Sequence, residues 1–561
     1  MASYNSDEKN IKFDEQVQHV EKIETAADEH QNELAQLSAI EATAASKAAW
    51  LISITVSLGG LLFGYDTGYI SSVLVTIGTS LGHTLSSSEQ ELVTSLTSGG
   101  ALVGAVGAGL TADRFGRRMP IWAACIVFVI GTILQTAAFS IPQFAVGRFV
   151  VGLGVGSAAM VVPLYISELA PAKYRGRMIA FNNMSVTFGQ FVASAIGAGF
   201  AQVGNPNTSQ AWRATVGIGA VPAIILAGLL FMCPESPRQL VAHGRPDEAS
   251  VVLIRIYPTS TEAQRRAKIR SIEMSIHEAT QTMVDDSLWK SMCRIFTTPA
   301  TFRAVFTACI IMAISQLSGF NTLMYYSATL FKIVGFSNAT AVAITVSATN
   351  FVFAWVNLVL VDKFGRRRIL LITVFAMGSC LLVAAVAFSY IPINLATLEV
   401  ESNEIGWPGI VLIITIICFV AVYSSGVATI AWIGTELIPI EVRAVGTMMV
   451  SSQQILRLNM NANLLIPQQI TVSCWSTNII IASTFLSMMK GMTPSGAFGF
   501  YCSICFIGWV FIVFCFPEVR GMPLENIRQV FAHGFGVKYA RQWQKENKHF
   551  AKVNTQQSFA H

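Results

Sequence analysis

The sequence predicts an all-α membrane protein, with twelve transmembrane helices in two six-helix bundles and a cytoplasmic helical linker between them. Three observations predict it. Of the 561 residues 53% are apolar and 12% charged, and the apolar ones gather in runs of about 20, enough to cross roughly 30 Å of hydrocarbon. Short patterns return in the same order: Asp113-Arg-Phe-Gly-Arg-Arg118 and Asp362-Lys-Phe-Gly-Arg-Arg-Arg368, Gly64-Tyr-Asp-Thr67 and Gly319-Phe-Asn-Thr322, Glu168-Leu-Ala-Pro-Ala-Lys-Tyr-Arg175 and Glu436-Leu-Ile-Pro-Ile-Glu-Val-Arg443. Homologous halves with a central site between them follow from such a repeat. Finally, loop charge alternates: 112–118, 173–177, 238–303 and 362–368 are rich in Arg, whereas 76–90 and 391–407 hold no Lys or Arg.

Taken in order, residues 1–48 are polar and acidic, which predicts a disordered cytoplasmic tail, and no cleavable signal precedes the first span. The N-terminal bundle, 49–238, has apolar runs at 49–72, 91–111, 119–139, 142–166, 180–203 and 212–232. All must be helical, because lipid offers the backbone no hydrogen-bond partner. In the linker, 239–302, helical periodicity returns at 245–300 as an amphipathic, basic pattern, so it reads as a cytoplasmic cap rather than a separate domain. The C-terminal bundle, 303–520, has runs at 303–326, 337–361, 369–390, 408–435, 444–487 and 496–516, and a cytoplasmic tail, 521–561, follows.

Lys and Arg stay on the cytoplasmic side, so both termini are expected there. The acidic loop with Glu399, Glu401 and Glu404 then lies outside, as do the sequons at Asn207 and Asn338, while a third at Asn183 falls within a span. The expected location is the plasma membrane, although no signal in either tail separates it from an internal one. Positive-inside loops account for the net charge of +5, so nucleic acid is not implied. The ten Cys are scattered, as at Cys125, Cys309 and Cys418, without metal spacing, and read as small packing residues.

Asp66 sits in the middle of the first run, where an uncompensated charge costs roughly 2.5–3.5 kcal/mol. Its expected partner is Arg148 in the fourth run, the other ionised residue near membrane depth in this half. At about 4 Å and an effective dielectric near 20 the attraction is about 4 kcal/mol, small enough for protonation of Asp66 to release it. The alternative is a static pair that fixes the bundle; against it, the repeat puts neutral Asn321 at the equivalent place. Gln190, Gln316, Asn321, Asn350 and Trp432 form a second constellation in the fifth, seventh, eighth and tenth spans. Amides both donate and accept, which suits a neutral polyol, and an aromatic plane suits the C–H face of a ring. Ordinary interhelical amide bonding is the competing reading. Gly99-Gly100 and Gly152-Leu-Gly-Val-Gly156 fit close helix packing better than a nucleotide loop. In the basic loops Asp113 with Arg117, and Asp362 with Arg366, are expected to pair at cytoplasmic helix ends, with Glu168, Arg175, Glu436 and Arg443 near the same surface. Broken when the halves part, such pairs would favour an outward-open state.

Together these motifs resemble the sugar porter branch of the major facilitator superfamily over roughly residues 49–530, through GYDTG at 64–68, GRR at 116–118 and 365–367, VPLYISELAPAKYRGR at 162–177, PESPR at 234–238, QLSGFNTLMYY at 316–326 and FPEVRG at 516–521. GYDTGYISSVLVTIG (64–78), SATNFVFAWVNLVLVDKFGRR (347–367) and IIIASTFLSMMKGMTPSGAFGFY (479–501) are similar to fungal proton-coupled myo-inositol transporters. The resemblance implies a major facilitator fold, a proton site at Asp66 coupled to Arg148, and cyclitol contacts from Gln190, Gln316, Asn321, Asn350 and Trp432. Tyr325 and Tyr326 would belong to an extracellular gate. Two departures shift the pocket away from the usual hexose arrangement: Ser315-Gln316 stands where many members have a Gln pair, and Cys474-Trp475 where many have Asn-Trp.

Spacing departs further. Arg443 to Trp475 is 32 residues, against about a dozen in the family, and the block 450–469, VSSQQILRLNMNANLLIPQQ, places Arg457 and several amides where a span should begin. A Val-Ser start is compatible with a GT splice donor, and a final Gln codon can end in AG. We therefore expect 450–469 to be a retained in-frame intron, a genuine loop being the alternative.

The expected function is proton symport of a neutral polyol or sugar, myo-inositol first, by alternating access. No nucleophile, electron-transfer or phosphate-binding constellation appears, so an enzyme, a cofactor and a metal are not expected; protons, the small solute and lipid are the partners, and the protein is expected to be monomeric. The rivals are a hexose or pentose symporter, a facilitator without proton coupling, and a nutrient sensor that signals without transport.

Overall fold

The computed structural model describes residues 31–33, 35–41, 43, 46–171, 173–203, 210–285, 298–394, 398–400, 406–428, 465–518, 529–532 and 534–545. Eleven helical segments among them are long and apolar enough to cross a membrane. The first six spans are Lys47–Thr76, Ser87–Phe115, Arg118–Thr136, Ile141–Leu169, Arg175–Ala201 and Ala211–Met232. The seventh to tenth are Pro299–Ile333, Ala339–Leu360, Arg366–Ser389 and Trp407–Ser425. Phe485–Cys515 is two helices in series, because Thr493 takes φ 68° ahead of Pro494. Its first turns carry on from the helix Leu465–Ala482 as the eleventh span, and Pro494 opens the twelfth.

Three predicted elements differ. The seventh span is broken: one helix runs over Pro299–Leu317 and a second over Phe320–Ile333, with Gly319 between them at φ 87°. A left-handed residue there needs glycine, and hydropathy is blind to the break because both pieces are apolar. The span expected at 444–487 is described only from Leu465, and its predicted end takes in Phe485, beyond a turn at Ser483 and Thr484. The tail expected to be disordered over 1–48 is helical over 35–41, and Glu33 and Glu41 reach Arg270 and Lys268 of the linker, each at 2.5 Å.

Packing obeys the repeat. Across the two halves the second span packs on the eleventh and the fifth on the eighth; adding six to the first pair returns the second, as a two-fold relation between bundles requires. The first span meets the second piece of the seventh. The linker helices Pro246–Ile256 and Glu262–Asp285 cap the basic end of the first half, where Leu253, Ile256 and Tyr257 are buried against it. Ser46 ties the start of the first span to this cap, its hydroxyl donating to the Arg255 carbonyl at 2.8 Å.

Within the first half, small residues let backbones approach. A Cβ on Gly100 would lie 2.1 Å from the Phe149 carbonyl oxygen of the fourth span, whereas one on adjacent Gly99 would meet nothing within 4 Å. Backbone cannot retreat as a side-chain tip can. Gly100→Leu is therefore expected to abolish monodisperse, surface-exposed protein, and Gly99→Leu to leave it within about twofold of normal. Size-exclusion of the fluorescently tagged variants reads both.

Candidate functional site

The first, fourth and third spans build a buried ionic centre. Arg148 of the fourth span reaches Asp66 of the first. Its Nη1 lies 2.7 Å from Asp66 Oδ1, with both side chains 1% exposed. Arg148 Nη1 also donates to the Tyr69 hydroxyl at 3.0 Å, and its Nε donates to the Val93 carbonyl at 3.1 Å. Tyr69, one helical turn beyond Asp66, places its hydroxyl 2.9 Å from Asp66 Oδ1 and 2.8 Å from Gln135 Oε1 of the third span. Asp66 Oδ2 has no hydrogen-bond partner among the described residues.

Beside this centre the amides form a chain that crosses between the halves. Gln190 Nε2 donates to Thr67 Oγ1 at 3.2 Å, Asn350 Nδ2 donates to Gln190 Oε1 at 2.7 Å, and the Ser424 hydroxyl donates to Asn350 Oδ1 at 2.6 Å. A second group surrounds the break in the seventh span. Asn321 donates to Gln316 and, at 3.3 Å, to Asn478 Oδ1, while Asn478 Nδ2 donates to the Tyr325 hydroxyl at 2.9 Å. Phe320 stacks on Tyr423 with ring centroids 3.9 Å apart. So Gln190 is bonded to Asn350 and Gln316 to Asn321, an amide pair in each of two groups, and Gln190 also touches Thr67, the residue next to Asp66. Trp432, Glu436 and Arg443 lie outside the described residues, as does the side chain of Asp362.

Away from the basic loops, the halves are closed on each other. Ser71 of the first span meets Ser327 of the seventh at 2.9 Å and accepts the Ala328 N–H at 2.8 Å. Glu91 of the second span accepts the Ser487 N–H at 2.8 Å and its hydroxyl at 2.6 Å. Tyr325 and Tyr326 are buried just beneath, and Tyr326 donates to the Ala482 carbonyl at 2.7 Å.

At the basic end Arg117 is shared. It pairs with Asp113 and, at 2.8 Å, with Glu168, and its backbone N–H donates to Glu235 at 2.8 Å. Glu168 therefore turns to Arg117, while Arg175 is exposed. In the second half Arg367, one residue beyond half-buried Arg366, donates its N–H to Glu518 at 2.9 Å, so the carboxylates of PESPR and FPEVRG do the same work in each repeat.

Sequence reasoning missed Tyr69, Gln135, Asn478, Ser424 and Glu91. For Tyr69 a signal existed, since i and i+3 share a helix face; the others are single polar residues in apolar runs.

A family model described as "Sugar (and other) transporter" matches residues 52–531. The chain is 41% identical over 509 residues to "Myo-inositol transporter 1" of Candida albicans, covering 90% of this chain and 87% of that one. It is 37% identical to "Myo-inositol transporter 2" of Schizosaccharomyces pombe, covering 94% and 91%. Among solved structures, it is similar to the proton:xylose symporter XylE bound to 6-bromo-6-deoxy-D-glucose, with a TM-score of 0.67 at 23% identity over 86% of this chain and 99% of the other. The partially occluded inward-open form of XylE from E. coli gives 0.66 at the same 23% identity, over 85% and 100%. Repeated halves, a buried acid–base pair and an amide chain between bundles thus agree with a match that runs almost from the first span to the last: the chain belongs to the sugar (and other) transporter family of membrane carriers.

Proposed function

We propose that this carrier moves myo-inositol together with a proton across the plasma membrane, with both termini in the cytoplasm. The observation that carries the reading is the adjacency of the two centres: Thr67, which accepts from Gln190, is the next residue after Asp66. A group that takes up a proton and a group that binds polyol hydroxyls then share one turn of helix. Relatives named for myo-inositol, and the loss of two hexose-type amides at Ser315 and Cys474, favour a cyclitol over a hexose.

Gln190, Gln316, Asn321, Asn350 and Trp432 are the proposed substrate contacts, with Asn478 added by its bond to Asn321. A polyol entering between Gln190 and Asn350 replaces their mutual bond with two bonds to its own hydroxyls, at small net cost. Because that bond joins the halves, binding is coupled to their relative position. The contacts of Glu91, Ser71, Tyr325 and Tyr326 form the outer closure in this reading, and the Arg117, Glu168 and Asp113 group, with its repeat around Asp362, Arg366, Glu436 and Arg443, forms the inner one.

The test is uptake of labelled myo-inositol at external pH 5 in transporter-deficient cells. Concentrative uptake that collapses with a protonophore and ignores excess glucose is expected. Competition by glucose or xylose would reassign the cargo, and surface-expressed protein that binds inositol without moving it would make it a sensor.

A further inference from the structure

The Tyr69 hydroxyl has one proton and two acceptors, Asp66 Oδ1 at 2.9 Å and Gln135 Oε1 at 2.8 Å. Its own oxygen meanwhile accepts from Arg148 at 3.0 Å. A phenol can donate only once, so at any moment either Asp66 Oδ1, which keeps its bond from Arg148, or Gln135 Oε1 goes without the Tyr69 proton, in a site where Asp66 and Gln135 are 0% exposed. Gln135 is held in this orientation because its Nε2 donates to the Gly147 carbonyl at 3.3 Å; turned over, it would set oxygen against oxygen.

We propose that Tyr69 is a positioning residue that reports the protonation state of Asp66 to the third span. With Asp66 ionised, the hydroxyl donates to the carboxylate, because a charged acceptor outcompetes a neutral one, and Gln135 Oε1 goes without. When Asp66 takes a proton from water, its new O–H donates to the Tyr69 oxygen, and the Tyr69 hydroxyl turns to Gln135. Tyr69 keeps its own proton throughout; only the direction of its bond changes. The acid then no longer holds Arg148 by charge, while Gln135 gains a bond that ties the first span to the third. Asp66 and Tyr69 are one turn apart, so the reversal needs only rotation of the hydroxyl.

The titratable or charged groups facing the centre from the surrounding spans are few. Arg148 comes from the fourth span and Tyr325 from the seventh. Tyr65 packs on Tyr69 with centroids 5.7 Å apart, its hydroxyl bonded to the Thr215 carbonyl. Glu91 of the second span is engaged by Ser487. Arg213 of the sixth donates to the Thr136 carbonyl beside Gln135. Tyr69 and Gln135 are the two that touch one another and can be changed without altering charge.

This proposal rests on Asp66 being the proton site, and its test keeps the two apart. The purified chain, in the form with or without 450–469 that reaches the cell surface, is titrated in nanodiscs by infrared difference spectroscopy of the protonated carboxyl band, with Asp66→Asn as the blank. Tyr69→Phe removes a donor to the ionised acid, so its midpoint moves up by about one unit. Gln135→Leu removes the competing acceptor, commits the hydroxyl to ionised Asp66, and moves the midpoint down. Opposite shifts, matched by opposite displacements of the pH profile of uptake, are the expected result. Shifts of the same sign, or none, overturn the relay even if transport is impaired. A band absent in the parent protein between pH 4 and about pH 9 would instead remove Asp66 as the proton site. Should Gln135→Leu fail to fold, Gln135→Met serves, since it replaces the amide oxygen with a much weaker thioether acceptor and keeps the length.

Discussion

Asp66→Asn is expected to abolish concentrative uptake and to leave exchange of substrate across the membrane. The amide is close in shape to the carboxylate, and its Oδ1 can still accept from Arg148 and Tyr69, which meet Asp66 at 2.7 and 2.9 Å. What disappears is the group that titrates. A proton entering with substrate draws about 2.3 kcal/mol per 100 mV, roughly a 50-fold accumulation, so in proteoliposomes at an imposed 100 mV the internal-to-external ratio should fall from about 50 to about one. Counterflow, which needs no net charge movement, should persist. Arg148→Leu is the contrasting case: it strands a carboxylate that is 0% exposed, an uncompensated burial of about 3–5 kcal/mol, and should lower the amount of folded protein. If Asp66→Asn still accumulated substrate, the pair would be a static brace and coupling would lie elsewhere.

The repeat made much of this legible. Asp66, Arg148 and the amides stand out because polar groups are expensive in lipid, so a sequence that keeps them announces their use. What the sequence concealed depends on geometry within a helix or on choice among partners. The break at Gly319 leaves both flanking pieces apolar, so hydropathy passes over it; only the left-handed backbone shows that the seventh span presents Asn321 at a helix end. Glu168 had two arginines within reach in sequence terms, Arg117 and Arg175, and the closeness of the second and fourth spans decided for Arg117. The two halves also differ where their motifs match: Asp66 faces a guanidinium, while Asn321 faces Gln316 and Asn478. At these matched positions the first half carries an ion pair and the second neutral amides.

Removing residues 450–469 is the second large effect expected. With Met449 joined to Ile470, the distance from Arg443 to Trp475 falls from 32 to 12 residues. The eleventh span must enter in a fixed register, because Trp475 packs edge-on against Phe63 of the first span at 5.5 Å and Asn478 reaches the Tyr325 hydroxyl three residues on. The helix is described from Leu465, so Pro467 lies in its first turn, where proline is tolerated; local geometry there does not argue against the block. Its content does. Arg457, Gln453, Gln454, Asn459, Asn461 and Asn463 precede the helix, and each polar group placed at membrane depth must find a partner or cost kcal/mol. We propose that the mature chain lacks the block and takes up at least about tenfold more substrate than the full chain at equal expression, one tenth corresponding to only about 1.4 kcal/mol of folding or binding. Sequencing of cDNA across codons 440–480 gives an independent reading. Transcripts that all keep the 60 nucleotides, together with equal uptake by both forms, would make 450–469 a true insertion between the tenth and eleventh spans, and the register of Trp475 and Asn478 would then have to be set from the outer end, where Ser487 is bonded to Glu91.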